Sequence, residues 1–280
     1  MVPQRNVELS FHFQQAYPAQ FRHFDGQYFS FPAIRDTCLD APYTTNFLGD
    51  YDFSYPLSSL FDEEAFLPGD EATQVQVVNV RGDRTETGHT LAYLVPSSGH
   101  TIVSDIDDVL RVASICQVKE GLKNLLTRPF YPWMNMPDIF MNWANIPGIH
   151  FHYLTTSPKQ MGKSYMDYVF DYYPAGSFDV RVINISDISS SLSTRRFMLE
   201  KILQTFPERK FTLVGDSTNQ DIMADFPQLA KKYPDRVQCL LVRNTTATDP
   251  GHWVPYNTKR FRDLDQKTYM FFRVPVRLPC

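Results

Sequence analysis

Asp105 and Asp107 are the first residues whose types and spacing could do chemistry. They stand in Ser104-Asp105-Ile106-Asp107-Asp108-Val109, directly after the apolar run Thr101-Ile102-Val103. That run reads as a short buried strand, and the pleat aims two acids spaced by two at its end to one side. In an open α/β sheet the carboxyl end of a strand is where ligands bind. Carboxylates converging there repel one another unless a cation sits between them. A hard divalent ion with oxygen ligands suits that place, Mg²⁺ above all. A carboxylate beside such an ion can attack phosphorus and form an aspartyl-phosphate. Taken alone, the run is equally compatible with an acidic surface turn.

Three further stretches weigh against the surface turn. Phe211-Thr-Leu-Val-Gly215-Asp216 is again an apolar strand, then glycine, then acid, with Asp221 close behind. Gly215 permits a close backbone approach. Asp216 and Asp221 can complete a metal site begun by Asp105 and Asp107. Phe151-His-Tyr-Leu-Thr155-Thr156-Ser157 is a strand ending in hydroxyls that suit a phosphoryl oxygen. Upstream of the Asp216 strand, Arg195 and Arg196 offer a cation to neutralise the nucleophile and the phosphate. The order acid-x-acid, hydroxyl, cation, acid-acid resembles the haloacid dehalogenase superfamily of phosphotransferases.

A narrower resemblance is carried by three segments together. Val103 to Arg111, His152 to Pro158 and Phe206 to Ser217 are similar to the catalytic domain of the fungal actin-patch-associated, Mg²⁺-dependent phosphatidate phosphatase family. The likeness spans roughly residues 90 to 275. It implies that Asp105 is the nucleophile and Asp107 the general acid/base. It implies that Thr155 holds the phosphoryl group, with Thr156 and Ser157 beside it. Arg195 falls where many relatives carry Lys, and Arg196 is its rival. Asp216 would bind Mg²⁺, with Asp221 beside it. The family usually has Thr where Val109 stands, a change that removes no catalytic group. The strand order implied is 5-4-1-2-3, with the nucleophile strand central.

The elements that must position these residues follow from alternation. Strand-like runs begin near 101, 151, 180, 211 and 237, and helical stretches lie between them. That pattern predicts an α/β fold with a Rossmann-like, doubly wound parallel sheet over residues 99–280. Residues 1–98 read as an aromatic-rich, largely β accessory region. Within it, Gln74 to Val80 and His89 to Val95 predict two strands joined by a hairpin loop. The loop contains Arg81-Gly82-Asp83, which is ordinary turn chemistry as well as the adhesion tripeptide. Val118 to Leu126 predicts a helix with Val118, Leu122 and Leu125 or Leu126 on one face, and Pro137 to Ile146 a second. The Ser-rich stretch through Thr194 reads as a loop delivering Arg195 to a helix start. Tyr269 to Phe272 is expected to return to the N-terminal region.

The stretches separating Asp105, Thr155 and Arg195 are too short for a large cap domain. An open site admits bulky substrates, including a phospholipid at a membrane or micelle surface. The Phe130, Tyr131, Trp133, Met134 cluster fits either contact with acyl chains or cover for the sheet edge. His150 and His152 alternate on one strand and read as a satisfied, partly buried pair rather than a second metal site.

The formal charge of -4 supplies no basic field for nucleic acid. No run is long and apolar enough for a transmembrane segment. Cys38, Cys116, Cys239 and Cys280 lack metal-ligand spacing, and Cys38 with Cys116 is a candidate pair. Two sequons, at Asn184 and Asn244, together with the even cysteine count, favour a secreted protein, with a cytoplasmic one as the alternative. The function expected is Mg²⁺-dependent hydrolysis of phosphatidate to diacylglycerol and phosphate. The alternatives are a phosphatase of this fold acting on another ester, namely a soluble metabolite, prenyl phosphate or phosphoprotein, and a non-catalytic binding protein.

Overall fold

In the computed structural model the described residues are 7–13, 17–18, 37–40, 44, 74–82, 87–114, 116–157, 161–181, 188–249, 251 and 253–275. They divide into two compact units, one up to Pro96 and one from Ser97 onward.

The first unit is an antiparallel sheet of β1 (Leu9–Phe13), β2 (Tyr17–Pro18), β3 (Thr37–Asp40), β4 (Gln74–Gly82) and β5 (Thr87–Leu94). β4 pairs along most of its length with β5, from Gln74 opposite Leu94 to Arg81 opposite Thr87. Its other edge takes β1 and β2, and β1 in turn takes β3. Alternating Val75, Val77 and the register with β5 are what two facing strands joined by a short connection require. Most of the aromatic run from Phe21 to Phe61, and Asp83 of the tripeptide, lie outside the described residues.

The second unit is built on β6 (His100–Ser104), β7 (Ile149–Thr156), β8 (Ser177–Arg181), β9 (Lys210–Asp216), β10 (Val237–Arg243) and β11 (Tyr269–Phe272). The order is β11-β10-β9-β6-β7-β8, and every neighbouring pair is parallel. This contains the order implied by the family resemblance and adds a sixth strand. β11, expected to return to the N-terminal region, pairs with β10 and extends that edge of the sheet. The helices are α1 (Val118–Leu126), α2 (Met136–Ala144), α3 (Gly162–Tyr172), α4 (Ile188–Thr205) and α5 (Gln220–Lys232).

Alternation along the strands builds two apolar layers. Ile102, Phe151 and Tyr153 face a core closed by Phe140 and Trp143 of α2 and by Tyr165 and Tyr168 of α3. Val103, Leu154 and Leu213 face the other core, closed by Leu199 and Leu203 of α4 and by Ile222 and Phe226 of α5. A parallel sheet covered on both faces needs strands that are apolar on both sides, which is why β6, β7 and β9 read as continuous runs. Gly215 belongs to this packing. A Cβ there would lie 2.8 Å from Ile222 Cδ1, so its absence lets α5 seat against the end of β9.

Between β6 and β7 the described residues carry only α1 and α2, and between β7 and β8 only α3. Among the described residues no helix is long and apolar enough to cross a membrane. α1 matches its expected span; on the expected face Leu125 packs against the core while Leu122 and Leu126 are exposed, and the Val118 side chain lies outside what is described. Among the described residues Cys116 and Cys239 carry free thiols.

Candidate active site

The chain runs from β6 to β7 and β8 on one side, then crosses back to β9 and β10 on the other. The crevice at such a reversal lies at the carboxyl ends of the strands. Asp105 leaves β6 there with its backbone N–H donating to Val214 O at 2.9 Å, so it sits against the end of β9 that carries Asp216. Both acids are buried, at 4% and 0% exposure.

Their side chains meet through Asn219. Its Nδ2 donates to Asp105 Oδ2 at 3.1 Å and to Asp216 Oδ2 at 2.6 Å. Asp216 Oδ1 accepts from Thr218 N at 2.6 Å and Asn219 N at 3.3 Å. Burial pushes both carboxyls well above the ordinary range. Arg195 works against this at Asp105, while Asp216, Asp107 and Asp221 add to it. At Asp216 the charge of Asp108 adds to burial, and the bonds from Thr218 and Asn219 oppose it. Two buried carboxylates bridged by a neutral amide form a place that calls for positive charge.

Arg195 supplies one cation. It lies inside α4, well past that helix's first residue Ile188, so the expected Ser-rich loop before it is in part helix. Its Nη1 is 3.2 Å from Asp105 Oδ2, and its Nε donates to Asp221 Oδ2 at 2.8 Å. Nη2 donates to Thr156 Oγ1 at 3.2 Å. Burial works against its charge, but Asp105, Asp221 and Asp216 outweigh burial and raise its pKa. Arg196 is not a rival for this place: it pairs with Glu200 at 3.1 Å and with Gln228 on the outside of the unit. Consecutive helical residues point about 100° apart, so only one of the two can face the sheet. Asp221, expected beside Asp216 as a metal ligand, accepts from Arg195 Nε through Oδ2 and orients that guanidinium.

Asp107 is held by three donors. Arg111 Nε donates to Oδ1 at 2.6 Å, Thr155 Oγ1 to Oδ2 at 3.0 Å, and the Tyr165 hydroxyl to both oxygens at 2.9 and 2.8 Å. Thr155 thus joins the site through Asp107. Ser157 is buried and hydrogen-bonds Tyr165. Burial and the charge of Asp107 raise the Tyr165 pKa, so this phenol stays a donor. The turn after Asp107 closes tightly. Asp108 takes a left-handed φ of 54°, a conformation Asp tolerates. Its Oδ1 accepts from Ala113 N at 3.0 Å and Ser114 N at 2.6 Å. Tyr168 and Tyr173 both donate to Leu110 O, at 2.9 and 2.6 Å.

The Phe130 to Met134 segment divides. Phe130 lies under the Arg111 guanidinium, 3.7 Å from ring centre, and Trp133 is buried under Arg243 at 3.8 Å. Only Tyr131 and Met134 remain exposed. His150 and His152 bond Ser177 and Asp179 on β8, at 3.0 and 2.8 Å, and are remote in role from the acids.

Among the described residues no three His, Cys, Asp or Glu side chains form a ready metal cage. Asp105 and Asp216 nevertheless fit Mg²⁺, which uses one or two carboxylates and keeps several waters. The bridging Asn219 amide marks where positive charge is wanted. Asn219, Arg111 and Tyr165 were not singled out in the sequence. Arg111 had a signal, standing four residues after Asp107.

An α/β unit with paired buried carboxylates and a buried cation at the carboxyl edge of its central strands is a recognisable class of site. A family model described as "Phosphatidate phosphatase APP1, catalytic domain" matches residues 100–244. That is more than half of the chain, and the chain belongs to this family. It is 25% identical over 226 residues to the protein named phosphatidate phosphatase APP1 of Saccharomyces cerevisiae. The match covers 75% of this chain and 37% of that relative, so the chain spans well under two thirds of its length.

Proposed function

We propose that the chain is a Mg²⁺-dependent phosphomonoester hydrolase of the haloacid dehalogenase type, acting through an aspartyl-phosphate on phosphatidate. The observation that carries this reading is Asp105: a buried carboxylate at the end of the central strand, with Arg195 3.2 Å from Oδ2 and the Asp216 carboxylate bridged to it. The family supports phosphatidate as the ester.

Asp105 and Asp216 would hold Mg²⁺, which supplies charge neutralisation at the phosphoryl oxygens. Arg195 stands against Asp105 and would meet the transferring group with fixed positive charge. Asp105 attacks phosphorus in line as the bond to the lipid alkoxide breaks. Asp107 gives that alkoxide a proton, leaving diacylglycerol. Asp107 then takes a proton from water as the water oxygen attacks the acyl-phosphate, releasing phosphate and restoring Asp105. In the structure Asp107 accepts bonds from Arg111, Thr155 and Tyr165, which would hold this one carboxyl in place to give a proton in the first step and take one in the second.

The test is phosphate release from phosphatidate in mixed micelles, with Mg²⁺ and with chelator, beside a soluble phosphomonoester. Mg²⁺-dependent release favouring the lipid is expected, with an acid-stable, hydroxylamine-labile phosphoenzyme absent from Asp105→Asn. Release from the soluble ester alone keeps the chemistry and rejects the lipid. Release from neither rejects both.

A further inference from the structure

Helix α1 carries a face for which the hydrolytic reading gives no use. Leu125 turns inward, whereas Leu122 and Leu126, one turn apart, are 53% and 63% exposed. Single exposed leucines are ordinary. Here they share a short helix with cations. Lys119, Lys123 and Arg128 stand against one acid, Glu120, which accepts from Lys123 and Arg128, each at 2.8 Å. The stretch is therefore net positive in a chain whose formal charge is -4.

Two exposed aromatics adjoin the helix. Trp253, 72% exposed, donates its indole N–H to Cys116 O at 2.8 Å, just ahead of α1. Tyr131, 60% exposed, follows α1 in the chain, and its carbonyl accepts from Val112 N at 3.1 Å in the segment that leads to the helix. Aromatic side chains with one polar edge suit the headgroup level of a bilayer, and a helix with outward apolar and basic side chains suits lying in that plane.

One side chain ties this surface to the site. Arg111 binds Asp107 at 2.6 Å and reaches Asn124 O of α1 at 3.4 Å, midway along the helix between Leu122 and Leu126. Asn124 Nδ2 answers by donating to Ala113 O at 3.0 Å. The exposed face is thus held at a fixed distance from the acids by the turn that carries Asp107.

We propose that α1 docks the domain onto an anionic bilayer, with Leu122 and Leu126 entering the acyl boundary and Lys119 and Lys123 meeting lipid phosphates. Charge complementarity selects this occupant: cations interleaved with apolar side chains match a surface that is anionic above and apolar below. The proposal rests on the phosphatidate reading for its purpose, but the docking is measurable without turnover.

The experiment is co-sedimentation of the full chain with vesicles of phosphatidylcholine alone and of phosphatidylcholine with phosphatidylserine, neither of which is the proposed substrate. Binding to the anionic vesicles is expected to be at least tenfold tighter. It should fall at least tenfold in Leu122→Ser/Leu126→Ser and, separately, in Lys119→Glu/Lys123→Glu. The second pair replaces exposed side chains and breaks only the surface pair of Lys123 with Glu120, so it keeps the test open if the first lowers stability. Both should leave the melting temperature and soluble-ester hydrolysis unchanged, and raise KM for vesicle phosphatidate with kcat preserved.

Wild-type protein that ignores anionic vesicles, or binds both compositions equally, overturns the proposal. So does binding that survives both pairs of substitutions, as it would if the patch served an acidic protein instead. Docking without phosphatidate hydrolysis would sink the substrate reading and leave this one standing. Hydrolysis of vesicle phosphatidate with an unchanged KM in both variants would do the reverse.

Discussion

Two buried arginines lie at opposite ends of the same parallel sheet, and they are used in opposite ways. Arg209, at the amino ends of β6 and β7, donates to neutral acceptors among the described residues: Thr101 Oγ1 at 2.8 Å, His100 O and Gly148 O at 2.7 Å, and Ser98 O. Arg195, at the carboxyl ends, meets Asp105 and Asp221. Burial pushes Arg209 down to about 10, still charged at neutral pH, and at Arg195 the carboxylates reverse the effect of burial. At the amino end the guanidinium is a planar fork that ties backbone turns together. Gly99 is part of that knot: it takes a φ of 114°, and a Cβ there would lie 2.6 Å from Gly148 O. At the carboxyl end the guanidinium is a charge. The difference separates what holds the sheet from what the sheet presents.

The largest effect is expected where that charge meets its partner. Asp105→Asn should lower phosphate release by at least about 10³-fold, since it removes the nucleophile. Folding should persist, because Arg195 keeps Asp221. A variant turning over at near the normal rate would refute the assignment. Exchanging each arginine for lysine sharpens the contrast. Arg195→Lys keeps a charge and should retain activity to within roughly tenfold. Arg209→Lys cannot reach four acceptors with one ammonium, and unmet buried carbonyls should cost roughly 2–4 kcal/mol by denaturant melts. If the two substitutions cost the same in stability and in activity, the division of labour is wrong.

How much of this could be read beforehand follows the same division. Strands and the acids at their ends were legible, because buried parallel strands are continuous apolar runs and their carboxyl ends are where acids gather; the strand order came from the family resemblance. Asp105, Asp107, Thr155, Arg195 and Asp216 do converge. What escaped was the set of partners. Tyr165 is 58 residues from Asp107, and Arg209 is 108 from Thr101, and no local pattern announces such bonds. The choice between Arg195 and Arg196 also needed the helix phase against the sheet. The inward face of α1 was misjudged because spacing groups Leu122 with Leu125 and Leu126 without saying which of them meets the core.

A smaller loss should follow at Asp107, which sits between the two uses of polarity, held like backbone yet placed for chemistry. Tyr165→Phe removes one donor to a charged group, and about a tenfold fall in kcat is expected, with the fold kept. Rates at the wild-type level would show that Arg111 and Thr155 suffice to place the carboxylate.

The smallest effect concerns an acid of the carboxyl-end layer that no arginine claims. Asp225 on α5 is buried, and its Oδ2 has no hydrogen-bond partner among the described residues. Burial first, then the charge of Asp221, push its carboxyl up to about 6, against pulls from Arg196, Arg195 and Arg260. A carboxyl raised on folding binds a proton that the unfolded chain has already released. Its contribution is therefore full below about pH 4 and is lost as the pH rises through about 6. Asp225→Asn removes that dependence and should stabilise the protein by about 1–2 kcal/mol at neutral pH, with little gain at pH 4. Melting curves of both proteins across this interval decide it. A loss of stability at neutral pH would mean that the carboxylate is paired after all, and the carboxyl-end layer would then hold no acid beyond those its arginines serve.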